Sequence, residues 1–76
     1  MNKDRRKRLR QVIDQGNQLL EDLRAIQEDE QDALDNIPES LQGTDRYADM
    51  ETAAELLEEA ADNLEDLISR CLEELI

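Results

Sequence analysis

One stretch governs what this chain can fold into: Asn36-Ile37-Pro38-Glu39-Ser40-Leu41-Gln42-Gly43-Thr44. It holds the only proline and one of two glycines, and a long segment with helical hydrophobic spacing runs on either side of it. Pro38 has no backbone N–H to donate and pushes Ile37 out of the helical region, so a first helix must stop here. Asn36 followed three residues later by Glu39 has the spacing of a capping box. Pro-Glu-Ser-Leu reads as a single helical turn with Pro38 near its first position. Leu41 is expected to tuck inward as a plug over the end of the core. Gly43 is expected to supply a positive φ. Thr44 is expected to cap a second helix, with Asp45 favourable in its first turn. Arg46 lies within reach of Asp35 or Glu39 and is read as tying the turn, with a partner contact as the alternative.

Both flanking segments read as heptads. With Leu9 at position a, the first segment places Leu9, Gly16, Leu23, Glu30 and Ile37 at a, Val12, Leu19, Ile26 and Ala33 at d, and Ile13, Leu20, Gln27 and Leu34 at e. This a/d/e stripe is wider than a two-stranded seam and suits a helix packed against two or more neighbours. The second segment places Tyr47, Ala54, Ala61, Ile68 and Leu75 at a, Met50, Leu57, Leu64 and Cys71 at d, and Ala53, Ala60 and Leu67 at g. Its a and d positions are apolar without a break. The expectation is a helix over about 3–36, a turn over 37–44 and a helix over about 45–76.

Folding the stripes together about the turn pairs residues whose numbers sum to about 84. Gly16 then faces Ile68 and Leu23 faces Ala61, large against small as close packing requires. Glu30 faces Ala54. The same register brings Arg5, Arg6 and Arg8 beside Glu73 and Glu74. Glu30 is a functional ligand, a device fixing register, or a residue at the stripe's edge that reaches water. Cys71 reads as a small core residue. Leu56, Leu72 and Ile76 fall outside the main stripe and, with position e of the first helix, point to a second apolar surface.

Composition sharpens this into a fold class. Tyr47 is the only aromatic and β-branched residues are few, which argues against a sheet. Seventy-six residues make at most one small domain, and such chains need a disulfide, a metal or oligomerisation to hold together. One cysteine and no histidine leave oligomerisation. The expected fold is all-α: an antiparallel two-helix hairpin, coiled-coil-like, dimerising into a four-helix bundle. No apolar run approaches bilayer length and no signal-peptide core follows the basic start, so a cytosolic setting is expected, with Cys71 reduced and no membrane partner.

The passage from Asp29 to Tyr47, Asp-Glu-Gln-Asp-Ala-Leu-Asp-Asn-Ile-Pro-Glu-Ser-Leu-Gln-Gly-Thr-Asp-Arg-Tyr, is similar to a pattern in small acidic proteins of phages and bacterial mobile elements. Those proteins often read as an acidic pair, Asn-Ile/Met-Pro-Glu-Ser/Asn-Leu-Gln, then Ser/Thr-acid-Arg-Tyr. The resemblance covers the turn and the charge pattern of the helix after it. It implies a phage or prophage setting and a helical hairpin, and it implies no activity. The basic start lies outside it.

For function, the residues exclude more than they select. No histidine, no Gly-rich phosphate loop and a cysteine without a base argue against an enzyme, and no cofactor or metal is expected. Charge is lopsided: residues 1–10 carry six bases and one acid, whereas residues 11–76 carry three bases and twenty acids. Two readings follow. The row Glu51, Glu55, Glu58, Glu59, Asp62, Glu65 and Asp66 either solvates the second helix or imitates the phosphate rows of DNA and occupies a basic groove on a host protein. The run Lys3, Arg5, Arg6, Lys7, Arg8 and Arg10 either offsets acids on a neighbouring helix or binds phosphate backbones, RNA more readily than duplex DNA. The acidic body and the lack of stacking aromatics work against nucleic acid. The expectation is a phage-type protein-binding accessory or inhibitor protein, with the nucleic-acid-binding dimer as the alternative.

Overall fold

The computed structural model describes residues 1–76. Two helices, α1 (Lys3–Asp35) and α2 (Asp45–Asp66), lie antiparallel around a short 3₁₀ turn at Glu39–Leu41. The hairpin is a rod of 59 × 15 × 13 Å. Its radius of gyration is 17.3 Å, against about 11 Å for a compact globule of this length.

Capping side chains define both helix starts. Asn2 Oδ1 accepts from the Arg5 backbone N–H at 2.9 Å, and Thr44 Oγ1 accepts from that of Tyr47 at 3.3 Å. The Thr44 hydroxyl also donates to the Leu41 carbonyl at 2.7 Å. It thereby joins the end of the turn to the start of α2.

The turn departs from expectation at four residues. Asn36 closes α1 rather than opening the next turn: its amide donates to the Asp32 carbonyl at 2.8 Å, and no capping bond joins it to Glu39. Leu41 is half exposed (51 %) and does not plug the core. Gly43 has no positive φ, because the 3₁₀ turn and Thr44 already reverse the chain. Arg46 makes no ion pair with Asp35 or Glu39.

The register holds along the middle of the hairpin. A Cβ built on Gly16 would stand 3.1 Å from Ile68 Cδ1, so the missing side chain is what admits Ile68. Ala61, on the level of Leu23, is wholly buried. Glu30 is half-buried like the other a residues of α1, and no polar side chain is fully buried.

Beyond Asp66 the chain widens into a π-helical turn (Leu67–Leu72) and closes with a 3₁₀ turn (Glu73–Leu75). The uninterrupted α-helix expected to residue 76 therefore ends ten residues early, at Asp66. A π turn inserts residues into the helical count and rotates everything after it. Leu72 accordingly turns toward the seam, while Cys71 is exposed instead of filling the core.

The core is thin. Only Ile13, Leu34, Ala54, Ala61 and Ile68 are buried. On α1 these are positions e, not d, so the e row belongs to the seam within the hairpin and not to a second surface. At 100° per residue, a and e lie close together around 20°, with d and b about 80° to either side. A single partner helix covers a and e and leaves d outside.

Candidate functional site

The hairpin has two unlike long sides. On one, position b of α1 flanks positions b and e of α2. There Gln31, Asp35, Glu51, Glu55 and Glu58 rim a shallow groove floored by Leu34, Tyr47 and Ala54. Further along the same side, Arg24 Nη2 donates to Glu65 Oε2 at 2.6 Å and to Asp62 Oδ1 at 3.2 Å. Hydrogen bonding to Asp62, then to Glu65, raises the Arg24 pKa above its ordinary value. Arg24 stands alone as a cation joining the two helices.

The expected acidic row thus divides. Glu51, Glu55 and Glu58 are exposed and make no ion pair, whereas Asp62 and Glu65 are bound by Arg24. Glu59 and Asp66 point away from this groove, at position f, and Asp66 pairs with Arg70 at 3.6 Å. The i, i+4, i+7 spacing of the three unpaired carboxylates fixes them on one rigid helix face.

On the opposite side, position d of α1 meets position g of α2. Val12 (50 % exposed), Leu19 (58 %) and Ile26 (55 %) recur every seven residues, with Leu67 (51 %) across the groove. Ala33, Ala53 and Ala60 continue the strip with small side chains. It ends in two apolar recesses. At the turn, Ala33, Ile37, Leu41, Tyr47 and Met50 line a cavity of about 490 Å³, with Thr44 and Arg46 at its edge. At the open end, Met1, Leu9, Val12 and Leu75 line another of about 430 Å³, bordered by Arg5 and Arg8. Arg46, expected to tie the turn, is in fact a rim residue of the first recess.

The basic run occupies the first turns of α1 and is exposed. Arg8 pairs with Asp4 at 3.3 Å, one turn earlier on the same helix. Lys3, Arg5, Arg6, Lys7 and Arg10 make no ion pair, and the expected contacts to Glu73 and Glu74 do not form. The altered helical turn after Asp66 carries those glutamates off the register that would have brought them there.

No helix is long and apolar enough to cross a membrane. Sequence periodicity placed Val12, Leu19 and Ile26 in the core. The signal that they lie outside was the stripe itself, which is broader than one opposing helix can cover. No family model, no curated protein and no solved structure matches this chain.

Proposed function

We propose that this chain is a small non-enzymatic binding protein of phage type, an accessory or inhibitor that engages a host or defence protein through its acidic side. What supports this reading is the uncompensated row Glu51, Glu55 and Glu58 beside Asp35, held at fixed spacing on a rigid hairpin. A surface built to receive phosphates presents arginines and lysines in a groove, and fixed carboxylates meet it without reorganising. The groove lacks a nucleophile–base pair and offers no enclosed cleft in which a reaction could exclude water.

The test is capture of bacterial proteins on the immobilised chain. A specific partner should be retained, displaced by heparin or duplex DNA, and lost when Glu51, Glu55 and Glu58 become glutamine. Retention unchanged by those substitutions would refute the reading. Asp62 and Glu65 are poor choices for this test, because altering them also dismantles the Arg24 bridge.

A second reading rests on the unpaired basic run: the chain binds RNA or DNA through residues 3–10. It requires labelled nucleic acid to shift with the chain and the shift to vanish when Arg5, Arg6 and Arg8 are neutralised. Against it stands the formal net charge of −12.

A further inference from the structure

We propose that the apolar side is covered by a second copy of this chain running antiparallel, with the basic arm of each chain laid along the acidic turn end of the other. This reading uses the side of the hairpin away from the carboxylate row and stands independently of it. Three observations carry it.

The first is the surface. Large aliphatic side chains at half exposure every seven residues form a continuous strip with an apolar recess at each end. Strips of this kind mark interfaces. A rod 59 Å long and 15 Å wide offers a long face of roughly the 800 Å² per partner that a standard stable interface needs.

The second is size complementarity under a two-fold axis. An isologous dimer pairs residue i with j and j with i. If the axis crosses the rod at the level midway between Leu19 and Ile26, α1 packs on its symmetry mate with numbers summing to 45. Leu19 then meets Ile26, and Val12 meets Ala33. On the second helix the same axis passes near Ala61, so Ala60 lies beside its own symmetry mate and Leu67 near the level of the partner's Ala53. The recess at the turn of one chain comes opposite the recess at the open end of the other.

The third is charge, which selects the direction. Residues 1–10 carry six bases against one acid, and residues 28–51 carry nine acids against one base. A dimer with its axis along the rod would stack like ends on like. The antiparallel arrangement sets Arg5, at position d beside the open-end recess, near the level of the partner's Glu39. It gives Arg5 the counter-charge that it lacks within its own chain and lays the basic end of each rod beside the acidic end of the other.

The experiment uses the full chain. Sedimentation across a concentration series should give twice the 8.8 kDa monomer mass. Leu19→Lys with Ile26→Lys should return it to the monomer. For direction, a Val12→Cys chain and an Ala33→Cys chain, each in a Cys71→Ser background, are mixed and oxidised. The mixed disulfide should form at least tenfold faster than either self-disulfide. A wild-type monomer at every concentration, or preferential self-linking of the Val12→Cys chain, overturns the proposal. So does a nucleic-acid shift that leaves the dimer intact yet depends on Arg5, since that assigns the arm to phosphate. Neutralising Glu51, Glu55 and Glu58 should leave the doubled mass unchanged, which separates this test from that of the acidic side.

Discussion

Gly16 on α1 and Ile68 in the π-helical turn that follows α2 are in close contact: a Cβ on Gly16 would lie 3.1 Å from Ile68 Cδ1 and 3.4 Å from Cγ1. Ile68 is itself buried, at 3 % exposure. Alanine at position 16 gains up to about 1 kcal/mol of helix propensity but presses on Ile68. Gly16→Ala should therefore leave the melting temperature nearly unchanged. Gly16→Leu should lower stability by about 1–3 kcal/mol through overpacking. Thermal melts followed by circular dichroism check both. A leucine tolerated as well as alanine would mean that the helices do not meet here.

Gly43 gives the opposite expectation. Its φ is not positive, and nothing lies within 4 Å of where a Cβ would be. Gly43→Ala should stabilise by about 0.4–1 kcal/mol, by restricting the unfolded chain. A left-handed conformation at this position would make the same substitution destabilising, so chemical denaturation of this one variant distinguishes the two backbones.

Thr44 caps α2 and also bonds back to Leu41. Thr44→Ala should cost about 1 kcal/mol, and Thr44→Ser should recover most of it. Urea midpoints compared at equal m-value measure the difference. An alanine variant as stable as wild type would show that the turn is held without this hydroxyl.

Arg24 bridges the helices by bonding Asp62 and Glu65 on the solvent side. Arg24→Gln should lower the melting temperature modestly, and the deficit should shrink in 1 M salt, where screening reaches about 3 Å. The pH dependence has a definite sign. A base whose pKa rises on folding contributes fully below its unfolded pKa and loses that contribution only above it. The Arg24 pKa rises from an already alkaline value, so the deficit should be the same at pH 7 and pH 9. A deficit that disappears by pH 9 would contradict the bridge.

The sequence revealed the hairpin because Pro38 and the two heptad stripes act locally and agree with one another. The Gly16–Ile68 pairing was legible because a large residue opposite a glycine is a constraint between two positions. The side assignment was not. Periodicity reports which residues are apolar, not how many neighbours are present to cover them, and so Val12, Leu19 and Ile26 looked like core. Cys71 was misplaced because a widened turn leaves no mark in the heptad pattern; only the backbone shows the count slipping between Leu67 and Leu72. The ion pairs expected between the basic arm and Glu73 and Glu74 failed for the same reason. Residues 36–44 are legible as a turn, but their individual roles depend on dihedral angles that several local patterns satisfy equally well.

Everything rests on the chain doubling back between Asp35 and Asp45. Spin labels on Asn17→Cys and Ser69→Cys in a Cys71→Ser background measure that directly, with labelled chains diluted in unlabelled ones so that only distances within a chain are read. Antiparallel helices packed 8–10 Å apart should give a separation below about 30 Å. A single helix continuing through Pro38 would hold the labels about 78 Å apart, and a distribution centred there would contradict the hairpin.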